Sequence, residues 1–237
     1  MTTIRERPSP NHGPRPPGAA VRILVIHYTG MVGAQAALDR LCDPAAAVSA
    51  HYLIDMQGMV HRLVAEDRRA WHAGVSWWRG ETNLNDTSIG IELDNPGHEW
   101  GYRPFPPAQM DALVALARGI LARHPIPAHG VVGHSDIAPR RKIDPGELFD
   151  WRGLAAAGIG LWPAGLDAPA PAVPPFPPAE GLARLARFGW EIVEPMASVS
   201  AFQRRFRPER VDGALDAETL WRIARLVESP GTSTDGA

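Results

Sequence analysis

The sequence predicts an α/β body built on a mixed central sheet flanked by helices, followed by a small three-helix domain. Three features carry that prediction. Apolar runs of strand type occupy residues 22–28 and 88–94, a helical period of apolar residues starts at Pro107, and two proline-dense stretches break the chain. In the first run, RILVIHY, β-branched residues crowd together as they do in a strand buried on both faces. Residues 51–55 and 59–63 flank Gln57 and Gly58 as a hairpin. Within 88–94 the alternation is clean: Ile89, Ile91 and Leu93 share one face, so Gly90, Glu92 and Asp94 share the other, where a carboxylate must meet solvent or a partner. A short helix is expected over 33–41. A longer one follows Pro107, with Met110, Leu113, Val114, Ala117, Ile120 and Leu121 at helical spacing to cover the sheet.

Proline density sets the expected boundaries. Residues 1–20 are expected to be a flexible tail, 21–166 the large body, 167–180 a semi-rigid polyproline linker, 181–229 a helical domain and 230–237 a second flexible tail. In the helical domain, Leu182, Leu185 and Phe188 suit one helix and Val199, Phe202 and Phe206 a second. Leu220, Ile223, Ala224 and Val227 suit a third, capped by Asp216. About fifty residues bury only a marginal core, which favours a tethered module.

Composition narrows the function classes. With 24 Lys and Arg against 26 Asp and Glu, the net charge of -2 disfavours nucleic acid as an electrostatic partner. Hydrophobic residues at 45% and charged ones at 21% are globular values, while 23 glycines and 24 prolines imply long loops around a compact centre. No apolar run reaches the roughly 18 residues of a membrane helix. The first twenty residues lack an apolar signal core, which points to the cytoplasm, as the single cysteine, Cys42, permits.

The chemistry-bearing segment is VVGHSDIAPRRKIDPG, residues 131–146, in which His134 follows a short apolar strand and Asp144 comes ten residues later with Lys142 two before it. Imidazole and carboxylate are ordinary zinc ligands, and three of them with one open position make a hydrolytic site. The turns at Pro139 and Pro145 can return Asp144 to His134. On spacing alone, Asp144 and Gly146 equally suit a plain turn, and Asp136 a plain cap. His27 ends a strand, where an imidazole either lines a cleft or packs. Ser135 beside His134 does not make a serine triad, because nucleophile and base would be adjacent in one loop.

Together with VIHYT (25–29), SAHYLI (49–54), AWHAG (70–74) and LNDTSIGIE (84–92), the block HSDIAPRRKIDPG (134–146) resembles the type-2 N-acetylmuramoyl-L-alanine amidase family, the AmpD- and AmiD-like zinc amidases. Their fold is shared with phage T7-type lysozyme and peptidoglycan recognition proteins. The resemblance implies one Zn²⁺ held by His27, His134 and Asp144, with Glu92 as the acid–base residue and Lys142 as an essential lysine. It implies hydrolysis of the lactyl-L-alanine bond of peptidoglycan or anhydro-muropeptides, with a water acidified by zinc to a pKa near 7 as nucleophile.

Tyr28, His51, Trp71, His72, Trp78, Arg79 and Asn85 are candidate substrate contacts. His51 and His72 suit indirect support of a ligand, and the Trp, Arg and Asn residues suit a sugar-peptide. Asn83 and Trp77 belong to the same loop. Arg140 and Arg141 form a solvated basic stretch or meet a stem-peptide carboxylate, and His61, His98, His124 and His129 are expected in surface or packing roles. The segments VSAFQRRF (199–206) and VDGALDAETL (211–220) resemble a family-1 peptidoglycan-binding domain. A wall-binding module argues for the periplasm or cell envelope, against the cytoplasmic reading. A monomer is expected.

Overall fold

The computed structural model describes residues 4–166 and 168–229. The strands and helices run β1 (Ile4–Glu6), β2 (His12–Pro14), β3 (Ile23–Tyr28), α1 (Ala34–Cys42), β4 (Tyr52–Ile54), β5 (Val60–Arg62), β6 (Arg68–Ala70), β7 (Trp77–Trp78), β8 (Glu81–Thr82), β9 (Ser88–Leu93), α2 (Gly97–Trp100), α3 (Pro107–Arg123), β10 (Val131–Gly133), α4 (His134–Ile137), α5 (Trp151–Ala156), α6 (Pro178–Phe188), α7 (Pro195–Phe206) and α8 (Ala217–Val227).

Six strands form the central sheet in the order β1-β5-β4-β9-β3-β10. Only the β4–β5 hairpin is antiparallel; β1–β5, β4–β9, β3–β9 and β3–β10 are parallel, so the sheet is mixed. Leu24, Ile26, Ile89 and Ile91 pack with Leu113, Leu116 and Ile120 of α3, which covers one face. On the other face, Ile23, Val25 and Val132 meet residues of the helical domain, and Leu53 packs under α1. No helix among the described residues is long and apolar enough to cross a membrane.

The N-terminal segment expected as a loose tail is instead built into the fold from Ile4 onward. β1 adds to the sheet edge beside β5, and β2 pairs antiparallel with β6. Asn11 is buried and donates to the carbonyls of Asp43 and Val48 at 2.8 and 2.9 Å, while Arg15 donates to those of Glu66, Asp86 and Ser88 at 3.0, 2.8 and 2.8 Å. Proline is compatible with edge strands because its missing N–H costs nothing there, so polar side chains tie down what apolar pattern does not. Residues 1–3 and 230–237 lie outside the described residues.

The C-terminal unit also differs from a tethered module. Its three helices form, and Asp216 caps α8 by accepting from Thr219 N at 2.9 Å. Yet Phe188, Trp190, Phe202 and Phe206 share one apolar core with Trp78, Val132 and Ile137 of the large body. α6 begins at Pro178, inside the expected linker, and Phe176 of that stretch is buried beneath the Arg184 guanidinium, 4.2 Å from its ring centre. A core too small to stand alone is completed by burial against its neighbour.

Candidate metal centre and active site

His27 is the penultimate residue of β3 and pairs in register with Glu92 of β9, so both project from the same face at the carboxyl end of the strands. His134 follows β10 as the first residue of α4. The turn after α4 closes on itself, with Arg141 N and Lys142 N donating to Ala138 O at 2.9 and 3.0 Å, and Ser135 N donating to Asp144 O at 2.8 Å. The two proline turns thereby bring Asp144 back to His134.

Among the described residues His27, His134 and Asp144 are the group placed to hold a metal ion. His27 Nδ1 lies 2.9 Å from His134 Nδ1 and 3.2 Å from Asp144 Oδ2, and His134 Nδ1 lies 3.1 Å from the same oxygen. Ligands around a tetrahedral zinc with bonds of 2.0–2.1 Å are about 3.3 Å apart, so the spacing of these three atoms suits such an ion. The histidine tautomers agree. His134 Nε2 donates to Ala73 O at 3.2 Å, which leaves Nδ1 as a lone pair. Ser88 Oγ spends its proton on Leu84 O and so accepts from His72 Nε2 at 3.2 Å; His72 Nδ1 then accepts from His27 Nε2 at 3.0 Å, and His27 Nδ1 is also left as a lone pair.

The electrostatics match a site built for a cation. Burial, then the neighbouring His134, push His27 down to about 4, against the opposing pull of Asp144. Burial alone would raise Asp144, but the two facing imidazoles take it well below the carboxylate range. Glu92 is shifted well upward by burial and by the charge of Asp144, with Lys142 opposing. Its Oε2 is buried without a hydrogen-bond partner among the described residues. Such an orphaned acceptor is costly unless a ligand or water uses it.

A cleft of about 440 Å³ opens over this group, and His27, Glu92, His134, Lys142 and Asp144 all line it. A larger cavity of about 950 Å³ lies between the large body and the helical domain, lined by Trp162, Arg207 and Arg222, and none of those five residues reaches it. The chemistry therefore belongs to the smaller cleft. Tyr28, Trp71 and His72 also line the cleft. His51 does not; it is buried behind it, accepting from Gly90 N at 3.0 Å and donating to Arg68 O at 3.1 Å. Asn85 accepts from His72 N and Ala73 N at 3.0 and 2.8 Å, which fixes the loop carrying both imidazole partners.

Trp78 and Arg79 turn away from the cleft: Trp78 stacks edge-on with Trp190 at 4.9 Å, and Arg79 donates to Phe188 O at 2.6 Å. They are docking residues for the helical domain and do not line the cleft where a sugar-peptide would meet them. Sequence reasoning passed over Met31, Arg40 and Ser49, which line the cleft. Arg40 had one usable signal, its charge at the edge of the apolar face that Ala37, Leu38 and Leu41 form on α1. Ser49 had none.

Residues 17–147 match the family described as N-acetylmuramoyl-L-alanine amidase, Amidase_2. The chain belongs to this family. It is 42% identical over 235 residues to the N-acetylmuramoyl-L-alanine amidase AmiD of Escherichia coli strain K12, covering 89% of this chain and 84% of that protein. It is 39% identical over 168 residues to the 1,6-anhydro-N-acetylmuramyl-L-alanine amidase AmpD of Enterobacter cloacae, covering 64% of this chain and 88% of the relative. The structure superposes with TM-score 0.81 and 40% identity on Escherichia coli AmiD in complex with anhydro-N-acetylmuramic acid-L-Ala-D-gamma-Glu-L-Lys, covering 92% of this chain and 94% of the other. AmpDh3 of Pseudomonas aeruginosa in complex with anhydromuramic pentapeptide superposes with TM-score 0.78 and 37% identity over 90% and 93% of the chains. This amidase is an enzyme, and its cleft holds an arrangement of residues placed to bind a metal ion.

Proposed function

We propose that this amidase hydrolyses the amide bond joining the lactyl group of N-acetylmuramic acid to L-alanine, in peptidoglycan or in anhydro-muropeptides, with Zn²⁺ at His27, His134 and Asp144. The observation that carries the reading is the triangle of ligand atoms, 2.9–3.2 Å on each side, beside the orphaned Glu92 carboxylate. Two neutral imidazoles and one carboxylate are a donor set of hydrolytic zinc enzymes. Zinc held by these three residues would supply a water acidic enough to attack at neutral pH and would polarise the scissile carbonyl.

The chain supplies the rest. Glu92 takes a proton from the attacking water and returns it to the departing amine, a role worth about 10² to 10⁴ in rate. Burial raises its affinity for that proton, which suits the return step. Lys142, on the rim beside Asp144, donates to the oxygen on which negative charge develops, typically worth about 10² to 10³. Tyr28 and Trp71 present flat faces along the cleft to the sugar or the stem peptide, and Asn85 and His51 act behind them by holding the His72 loop and β9. All five site residues come from one chain, which suits a monomer. The helical domain is a family-1 peptidoglycan-binding domain on this reading, supported by its FQRRF and VDG segments and by the coverage shared with AmiD.

The test is to incubate the purified chain with intact sacculi and with anhydro-muropeptide, with and without a chelator, and to weigh the products. Free stem peptide with an amino-terminal alanine, lost on chelation and restored by zinc, is expected. Cuts within the stem peptide, or an inactive zinc-loaded wild type, overturn the reading. Which substrate turns over faster also separates an envelope enzyme from one of the cytoplasm.

A further inference from the structure

Arg205, on α7 of the helical domain, is a basic residue with only 4% of its side chain exposed. Its guanidinium stacks over Trp151 at 4.2 Å and reaches the opposite side of the turn that carries His134. Nη1 donates to Val131 O at 3.0 Å and to Asp136 Oδ2 at 3.2 Å, and Nη2 donates to Leu161 O at 3.3 Å. The same Asp136 oxygen accepts from Gly133 N at 2.8 Å and so closes the first turn of α4, one residue before the ligand. A side chain added at Gly133 would meet Pro145 at 2.8 Å and Trp151 at 3.2 Å, so the peptide behind His134 is pressed between the residue that follows Asp144 and the ring on which Arg205 rests.

Asp136 is buried, with only 1% of its surface exposed. A buried carboxylate stripped of its cation is left uncompensated and would move toward water, and the turn it caps would move with it. We propose that the helical domain is a working part of the metal centre, and that Arg205 is the positioning residue through which it acts: it holds the Asp136 carboxylate that caps the turn presenting His134. This rests on the reading of His27, His134 and Asp144 as metal ligands.

The experiment is chelator competition for zinc on the full-length chain, with the thermal midpoint as a check on folding. Wild type must bind one ion; if it does not, the metal reading fails whatever Arg205 does. Arg205→Met is expected to lower zinc affinity by about 10- to 100-fold, the usual effect of removing a group that orients a ligand. Arg79→Met breaks a different contact between the same two bodies and is expected to leave affinity within about twofold. Asp136→Ala should cost as much as Arg205→Met, and the two together no more than either alone, because one acts through the other.

Folded Arg205→Met with wild-type affinity, an equal loss in Arg79→Met, or full additivity overturns the proposal. Should a single substitution prevent folding, the paired variant leaves no unmatched buried charge and carries the test: the same loss is expected, and wild-type affinity overturns it.

Discussion

Two buried ionic clusters lie back to back on the short helix α4. On its cleft side, Asp144 faces two imidazoles whose free nitrogens converge on one point; on its other side, Asp136 faces Arg205. Each buries one aspartate, and a buried anion needs a cation. At Asp136 the cation is covalently part of the chain, contributed by α7. At Asp144 it must come from solution. The difference teaches why one site can be a reaction centre and the other cannot: only an exchangeable cation with an open coordination position can bring a reactant with it.

That contrast can be broken by experiment. The largest effect is expected from Asp144→Ala, which removes a ligand: the rate of stem-peptide release should fall by about 10³ or more, since the metal's contribution is several kcal/mol. Binding to sacculi should persist. Glu92→Gln should lower kcat by about 10² to 10⁴ while zinc content stays at the wild-type level, which separates loss of the acid–base group from loss of the ion. If zinc content falls in parallel, Glu92 belongs to the metal shell instead.

A chelator should lower the thermal midpoint of wild type by roughly 5–10 °C, from about 2.7 kcal/mol of binding at a hundredfold excess of zinc over its dissociation constant. It should leave Asp144→Ala unmoved, because a site without that ligand holds no zinc for the chelator to remove.

A pH dependence in chelator tests the same contrast through protons. Burial holds His27 near 4 and His51 near 3, both below the unfolded value of 6.5. The unfolded chain therefore gains protons first as pH falls. Folding stability should decline below about pH 6.5, by up to about 1.4 kcal/mol per pH unit for each histidine, and level off for His27 below about pH 4. Zinc should suppress the His27 share and leave that of His51. Denaturant titrations at pH 7, 6 and 5 with and without zinc measure both.

Much of the large body was legible in the sequence because its elements are periodic. β3, β9, the β4–β5 hairpin and α3 follow from apolar spacing, and Pro107 and Asp216 mark helix starts through local hydrogen-bonding rules. The N-terminal strands were not legible: ten residues from Pro8 include five prolines, and what anchors them is Asn11 and Arg15 donating to carbonyls 32 and 71 residues away. Trp78 and Arg79 had the composition of a sugar-binding loop and serve as a docking surface. Arg205 sits in a QRR run that any reading of charge assigns to solvent, and its burial depends on Trp151 and Asp136, both far off in the chain.

The sequence by itself determined the strand face from which Glu92 projects, because that depends on a period of two residues, while the ligand set was implied by the resemblance to the amidase family. Tertiary structure decided which lone pair each histidine offers, which aspartate keeps a cation of its own, and that the helical domain is welded to the catalytic body. Those outcomes depend on partners brought together over long separations, where burial makes a single hydrogen bond or charge decisive and no local pattern records it.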